Sequence, residues 1–142
     1  MSRAVISAAL RQAVAEASRY RCAYCQTSER IAGAEHTIDH IIPESLGGST
    51  TPDNLCLACW RCNLIKRDRI TAIDPQSGYS VRLFHPNRQI WHDHFAWQEH
   101  GLLVAGLTPT GRATVNALRL NRASLVRSRQ LWIEAGWHPP QA

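Results

Sequence analysis

Four of the five cysteines in this chain form two C-x-x-C pairs, Cys22 with Cys25 and Cys59 with Cys62. Two such pairs supply the four thiolates that a closed, tetrahedral structural zinc site requires. Cys56 with Cys59 is an alternative pair, but Cys56 falls in a predicted strand and is expected to point into the core. We therefore predict one structural zinc on Cys22, Cys25, Cys59 and Cys62, with five free buried cysteines as the alternative.

Short polar motifs lie between and just after these pairs in a fixed order. They are Asp39-His40, Gly47-Gly48, Asn54-Leu55 and the run Cys59-x-x-Cys62-Asn63-x-x-Lys66. This order resembles the HNH endonucleases of the ββα-metal fold, in the subgroup whose active-site hairpin is braced by a four-cysteine zinc. The resemblance spans residues 22–66, about a third of the chain. It implies hydrolysis of phosphodiester bonds.

The resemblance also implies roles for individual residues. His40 corresponds to the general base, Asp39 to a ligand of the catalytic divalent cation, and Asn54 to the residue that orients the base. Asn63 stands at the last family position, which is usually histidine, and is expected to complete the cation site. With Asp39 and Asn63 as oxygen donors, that cation is expected to be Mg²⁺ or Mn²⁺.

Elementary chemistry supports the role of His40. An imidazole with a pKa of about 6.5 can accept a proton from water near neutral pH, and a divalent cation can stabilise the charge that develops on the phosphoryl oxygens. A buried structural histidine is the alternative. Adjacent strand residues point to opposite faces, so Asp39 and His40 can share a site only where the strand ends or twists. Pro43 predicts such an end.

The elements that must position these residues follow from hydrophobic spacing. Apolar residues at spacings of three and four predict a helix over residues 6–20, and β-branched runs predict strands over 37–42 and 54–58. A basic helix is predicted from Trp60 to about Thr71. His36 is expected to be a partly exposed edge residue, with an extra active-site group as the alternative, and Glu44 is expected to be a solvated loop acid. The expected fold class is α+β: an HNH core with an N-terminal helix in residues 1–75, and an α+β extension in 76–142.

The extension has no cysteine. We predict a strand over 81–84, a hairpin from 94–98 and 102–107, and two helices. Thr108-Pro109 is typical of the first helix start, Asn121 is the predicted cap of the second helix, and Gly136 is its predicted end. The run from Trp91 to Phe95 favours a half-buried strand over a second metal site.

The composition is that of a globular protein. Of 142 residues, 44% are hydrophobic and 19% are charged, which argues against disorder, collagen and a coiled coil. No stretch approaches the roughly 18 apolar residues that a membrane span needs, because Arg11 and Glu16 break the first apolar run. No signal-peptide layout is expected, and the clustered cysteines favour a reducing, cytoplasmic location.

The charge of the chain indicates its partner. The formal net charge is +5, and fifteen of the sixteen cationic side chains are arginine, whose guanidinium matches phosphate oxygens. Lys66, Arg67 and Arg69 are predicted to contact the DNA backbone, with a solvated helix face as the alternative. We predict a metal-dependent DNA endonuclease. The alternatives are a non-catalytic, zinc-stapled nucleic-acid-binding module and a nuclease directed at RNA.

Overall fold

The computed structural model describes residues 5–141, which divide into two compact units. The first unit comprises the chain up to Arg69 together with His85–Asn87. The second unit comprises Ile70–Phe84 and the chain from Arg88 onward. Helices and small antiparallel sheets occur in both units, so the predicted α+β class is confirmed.

The first unit begins with helix α1, Ala8–Ala17. The Ser7 hydroxyl accepts a hydrogen bond from the Leu10 amide and so caps the helix. Val14 and Ala15 form its buried face. One further helical turn, α2, spans Glu29–Ala32 and is capped in the same way by Ser28.

The centre of the first unit is an antiparallel hairpin followed by a helix. Strand β1, Thr37–His40, pairs with strand β2, Leu55–Ala58, and the register places Asp39 opposite Cys56 and His40 opposite Leu55. All four residues of β2 are buried. Helix α3, Trp60–Lys66, follows at once and packs against β1. The predicted order of strand, strand and helix is confirmed, although β1 ends two residues before the predicted boundary.

Helix α3 is shorter than predicted. Arg67 has a positive φ of 57° with ψ of −134°, and this turns the chain out of the helix. The predicted helix ended at about Thr71. In the structure Thr71–Ile73 forms strand β3 instead. It pairs with strand β4, Ser80–Arg82, so the predicted strand near residue 81 has a partner that local spacing did not indicate.

The second unit contains this β3–β4 hairpin and a second hairpin. Strands β5, Phe95–Gln98, and β6, Leu103–Gly106, pair as predicted around the turn at residues 99–101. Helix α5, Pro109–Ala117, starts at Thr108, whose hydroxyl accepts from the Gly111 amide. It packs on β6, and the predicted cap is confirmed.

Two local predictions in the second unit are wrong. Residues Trp91–His94 form a helical turn, α4, in place of a half-buried strand. Helix α6, Ala123–Glu134, is preceded by Arg122 at its N-cap position. Asn121 does not cap it, because its amide group bonds to the backbone N–H and C=O of Val104. No helix among residues 5–141 is both long and apolar enough to cross a membrane.

Candidate functional site

The four predicted zinc ligands meet in one cluster in the first unit. The Sγ atoms of Cys22, Cys25, Cys59 and Cys62 all lie within 4.8 Å of one another. Two thiolates bound at about 2.3 Å from a tetrahedral ion lie about 3.8 Å apart, and the Sγ atoms of Cys25 and Cys59 are 3.8 Å apart. The four sulfurs therefore fit a tetrahedral zinc ion.

Backbone geometry brings each cysteine pair to the cluster. In the first pair, the Cys25 amide points at Cys22 Sγ at 3.5 Å. In the second, Cys59 is the N-cap of α3, and its sulfur accepts from the Cys62 amide at 3.4 Å. Burial and hydrogen bonding to the other thiols raise the pKa of Cys22 well above its ordinary value, so a cation is needed to hold all four groups as thiolates.

Cys56 lies outside the cluster, as predicted. It is buried beside the Tyr24 hydroxyl, at 3.7 Å, and the Asp39 carboxylate, at 3.8 Å. Burial, with the negative charge of Asp39, raises the pKa of the Cys56 thiol well above its ordinary value. This cysteine is therefore a protonated core residue.

His36 lies against the loop that carries Cys22 and Cys25. It is 5% exposed, so the expectation that it is a partly exposed edge residue is wrong. Its Nε2 lies 2.8 Å from the carbonyl oxygen of Thr27, which also accepts from the Cys22 amide. The Thr27 hydroxyl lies 3.3 Å from Cys25 Sγ. His36 thus orders the backbone that carries the first cysteine pair.

His40 is the last residue of β1, and its ring reaches the surface of the first unit. Its side chain is 19% exposed. The ring Nε2 lies 2.9 Å from Thr50 Oγ1 and 3.7 Å from Glu44 Oε1. Its Nδ1 makes no hydrogen bond with any other residue of the described chain. Glu44, expected to be a solvated acid, is therefore a neighbour of the predicted base.

The loop that follows His40 is held by Asn54. The Asn54 amide oxygen accepts from the Ile42 N–H at 2.9 Å, and its Nδ2 donates to the carbonyl oxygens of Ile42 and Ser49 at 2.9 and 2.8 Å. Gly48 lies where this loop passes close to the backbone of Ile42. A Cβ atom at Gly48 would lie 1.7 Å from the Ile42 carbonyl oxygen, so only glycine fits there. Asn54 was predicted to orient the base, and it makes no contact with the His40 ring among these bonds. It fixes the backbone on which that ring is mounted.

Asp39 points to the opposite face of β1, into the core. It is 4% exposed, and the Tyr24 hydroxyl donates to its Oδ2 at 2.8 Å. Burial raises the pKa of Tyr24 well above its ordinary value, so this hydroxyl keeps its proton. The Lys66 ammonium lies 3.0 Å from Asp39 Oδ2 and also contacts the carbonyl oxygens of His40 and Ile41 at 3.2 Å.

The geometry thus separates Asp39 from His40, as the alternation of strand side chains requires. An ammonium group, surrounded by oxygens, already balances the charge of Asp39. Carboxylate and carbonyl oxygens are donors that hard cations prefer, and in this arrangement the Lys66 ammonium occupies them. Asn63 lies one turn before Lys66 on α3, half-buried, and within the described chain its side chain makes no hydrogen bond.

The three cations predicted to contact DNA differ in their surroundings. Lys66 is 1% exposed and is held in the ion pair with Asp39, so it cannot reach a phosphate in this arrangement. The Arg69 guanidinium donates to the carbonyl oxygens of Ile65 and Lys66 at the end of α3. Only Arg67 of the three is exposed. Arg69 therefore stabilises the end of α3, and Lys66 stabilises the buried carboxylate of Asp39.

Sequence reasoning missed Tyr24, Thr50 and Glu44 as neighbours of the site. Tyr24 stands inside the first C-x-x-C pair, and its burial was not indicated by any local pattern. Thr50 and Glu44 lie in the loop between the strands, where the only available signal was their place close to His40 in the chain.

Comparison with known families agrees with this geometry. Residues 22–69 match the family model described as HNH endonuclease. The matched segment contains both cysteine pairs, the β1–β2 hairpin and α3. No curated protein and no solved structure matches the chain. The four-cysteine cluster is consistent with the zinc-containing subgroup of that family.

Proposed function

We propose that the protein hydrolyses DNA phosphodiester bonds with His40 as the general base and one divalent cation, a proposal supported by the match of residues 22–69 to the HNH endonuclease family model. The zinc on the four cysteines has a structural role in this proposal. The observation that supports it best is the placement of the His40 ring. His40 is the last residue of β1, and Asn54 bonds to the backbone of the loop that follows it. The ring Nε2 lies 2.9 Å from Thr50 Oγ1, and Nδ1 makes no hydrogen bond within the described chain.

The contacts of the ring indicate which nitrogen accepts the proton. A carboxylate near Nε2 favours a proton on that nitrogen, which then donates to Thr50 Oγ1. In this tautomer Nδ1 carries the lone pair. Nδ1 would take the proton of an attacking water, and Glu44 would stabilise the imidazolium that forms. Glu44 and Thr50 are thus positioning residues in the proposal.

The catalytic cation would be Mg²⁺ or Mn²⁺, held by Asp39 and Asn63. When bound, it would supply Lewis-acid stabilisation to the phosphoryl oxygens. Asp39 can offer its oxygens to a cation beside His40 only if Lys66 withdraws its ammonium group and the carboxylate turns from the core toward the His40 side of β1. In the described arrangement the Tyr24 hydroxyl and the Lys66 ammonium hold this carboxylate in the core.

A second candidate is a zinc-stapled module that binds nucleic acid without cutting it. The buried ion pair of Lys66 with Asp39 is the observation that favours it, because a permanent pair would leave no carboxylate for a cation. This candidate predicts salt-dependent binding of nucleic acid and no cleavage in any divalent metal.

A nicking assay on supercoiled plasmid tests the proposal. Zinc-loaded protein is incubated with Mg²⁺ or Mn²⁺, and His40→Ala is compared with the wild type. We expect the variant to lose about 10²- to 10⁴-fold in rate, the usual contribution of a general base. His92→Ala, which removes an exposed histidine of the second unit, is the matched control and is expected to cleave normally.

The same assay separates the alternatives. Equal cleavage by the wild type and His40→Ala would reject the assignment of the base. Binding without any cleavage would favour the non-catalytic module. A single-stranded RNA and a duplex RNA of the same sequence are offered in parallel, and cleavage of RNA alone would reject DNA as the substrate.

A further inference from the structure

The second unit contains a cationic cavity that the nuclease site does not explain. It has a volume of about 500 Å³ and lies beside α5 and the residues that lead into α6. Three of its lining residues are arginines, Arg112, Arg119 and Arg122, and Asn116 adds an amide group. Val115 and Pro75 supply apolar wall. Among the described residues that line this cavity, none is acidic.

The three arginines differ in what holds them. Arg112 forms two hydrogen bonds of 2.9 Å with the buried carboxylate of Asp74, so its charge is balanced within the unit. Arg122 is 8% exposed, and its Nη1 donates to the carbonyl oxygens of Leu118 and Arg119. The backbone around the end of α5 thus holds the Arg122 guanidinium.

Arg119 is the exposed member of the set. Its guanidinium makes no hydrogen bond or ion pair with any other described residue. Its backbone is left-handed, with φ of 52°, at the turn after α5 where glycine is the least strained residue. The arginine side chain therefore contributes nothing visible to the fold of the second unit, although it lines the cavity.

A cavity with this lining attracts an anion. A guanidinium fork matches the geometry of phosphate oxygens, and the apolar wall suits the sugar or base of a nucleotide. We propose that the cavity binds a phosphate group, carried by a nucleic-acid backbone or by a free nucleotide. The backbone source rests on the proposed function, since it would be a second contact to the nuclease substrate.

Binding measurements on non-cleaving protein test the proposal. The His40→Ala protein is titrated with inorganic phosphate and with thymidine 5′-monophosphate by calorimetry, and with a fluorescent duplex of twelve base pairs by anisotropy. Arg119→Gln is then added to the same background. We expect binding to weaken by about tenfold, as for the loss of one charge-assisted hydrogen bond. Arg88→Gln, which removes an exposed arginine of the second unit that does not line the cavity, is the matched control.

A second variant excludes a folding artefact. Arg119→Gly removes the same side chain and relieves the left-handed backbone, so its stability should equal or exceed that of the parent. Its binding should weaken like that of Arg119→Gln. Weaker binding of the duplex alone identifies a backbone phosphate as the ligand. Weaker binding of the mononucleotide as well identifies a terminal phosphate.

Two results would overturn the proposal. One is unchanged binding of all three probes by both Arg119 variants. The other is an equal loss for Arg88→Gln, which would indicate general electrostatic attraction. These outcomes are independent of catalysis. If the Arg119 variants bind phosphate normally and the protein nicks plasmid, the cavity proposal is rejected and the proposed nuclease activity is retained. If the cavity binds phosphate and the protein does not nick plasmid, the nuclease activity is rejected and the cavity proposal is retained.

Discussion

The two units are stabilised by different means. The first unit has a hairpin of four-residue strands and a seven-residue helix around four cysteines, and so small a core commonly needs a metal. The second unit has no cysteine. Its core contains an aromatic cluster in which Trp91 and Phe95 have ring centroids 5.0 Å apart, and Phe84 and Phe95 have theirs 5.2 Å apart.

A buried arginine completes the second unit. Arg129 is 0% exposed, and its guanidinium donates to the carbonyl oxygens of Leu102 and Leu120 and to Asn121 Oδ1. It also lies over the Trp97 ring, at 5.4 Å from the centroid. Several arginines of the chain thus serve as internal hydrogen-bond donors, so its net charge of +5 does not measure the positive charge available at its surface.

The largest expected effect is the loss of zinc from the first unit. Cys59→Ser should abolish tight zinc binding and unfold the β1–β2 hairpin, because metal binding and folding are coupled at such sites. Hydrogen exchange followed by mass spectrometry should find β1 and β2 unprotected and β5 and β6 still protected. Cys56→Ala is the control and should retain one zinc per chain. A zinc-free Cys59→Ser protein with a protected β1–β2 hairpin would contradict the claim that the first unit needs a metal to fold.

Removing the buried arginine should have the next largest effect, in the second unit. Arg129→Met leaves carbonyl and amide oxygens without their donor, so we expect the free energy of unfolding to fall by about 3 kcal/mol or more. Urea unfolding followed by tryptophan fluorescence measures this, since four of the five tryptophans lie in the second unit. The exposed Arg127→Met should change the value by less than about 0.5 kcal/mol. Equal effects of the two changes would contradict the structural role of Arg129.

The first unit has its own buried cation, Lys66. Lys66→Met leaves the Asp39 carboxylate buried without its partner and should lower the free energy of unfolding by about 3 kcal/mol. Asp39→Asn in the same protein should recover part of this loss. If Asp39 is also a cation ligand, Mn²⁺ should raise the melting temperature of Lys66→Met more than that of the wild type. A Lys66→Met protein as stable as Arg67→Met would show that the ion pair contributes little.

The smallest effect concerns acid stability of the second unit. Hydrogen bonds from Arg112 hold the pKa of Asp74 well below its usual range. A depressed folded pKa means that this stabilisation is present above about pH 4, the ordinary value of an aspartate, and is lost as pH falls toward the folded value. Asp74→Asn should lower stability at pH 7 and flatten its dependence below about pH 4. An unchanged slope in acid urea titrations would reject the contribution of this pair.

Local patterns predicted much of the fold. The spacing of the cysteines predicted the four-cysteine cluster, the β-branched runs predicted β1 and β2, and Thr108-Pro109 predicted the start of α5. These features depend on neighbours within a few residues. The segment at Thr71 was missed because its strand exists only through pairing with Arg82, which no local pattern indicates.

The candidate site was predicted less completely, for the same reason. Lys66 stands among arginines, a pattern that favours a solvated face, and its burial depends on a carboxylate supplied by β1. Asp39 and His40 were expected to share one site because Pro43 predicts the end of the strand, but the alternation of side chains along β1 keeps them on opposite faces. This alternation could not indicate that Thr50 and Glu44 would meet the ring of His40 from the intervening loop.

Chemical rescue tests the central claim most directly. His40→Ala with its zinc retained is assayed for single-turnover cleavage of a duplex, with and without added imidazole. A general-base role predicts a rate lowered by about 10²- to 10⁴-fold that rises with the concentration of neutral imidazole. Cleavage by His40→Ala at the wild-type rate, with no response to imidazole, would contradict it.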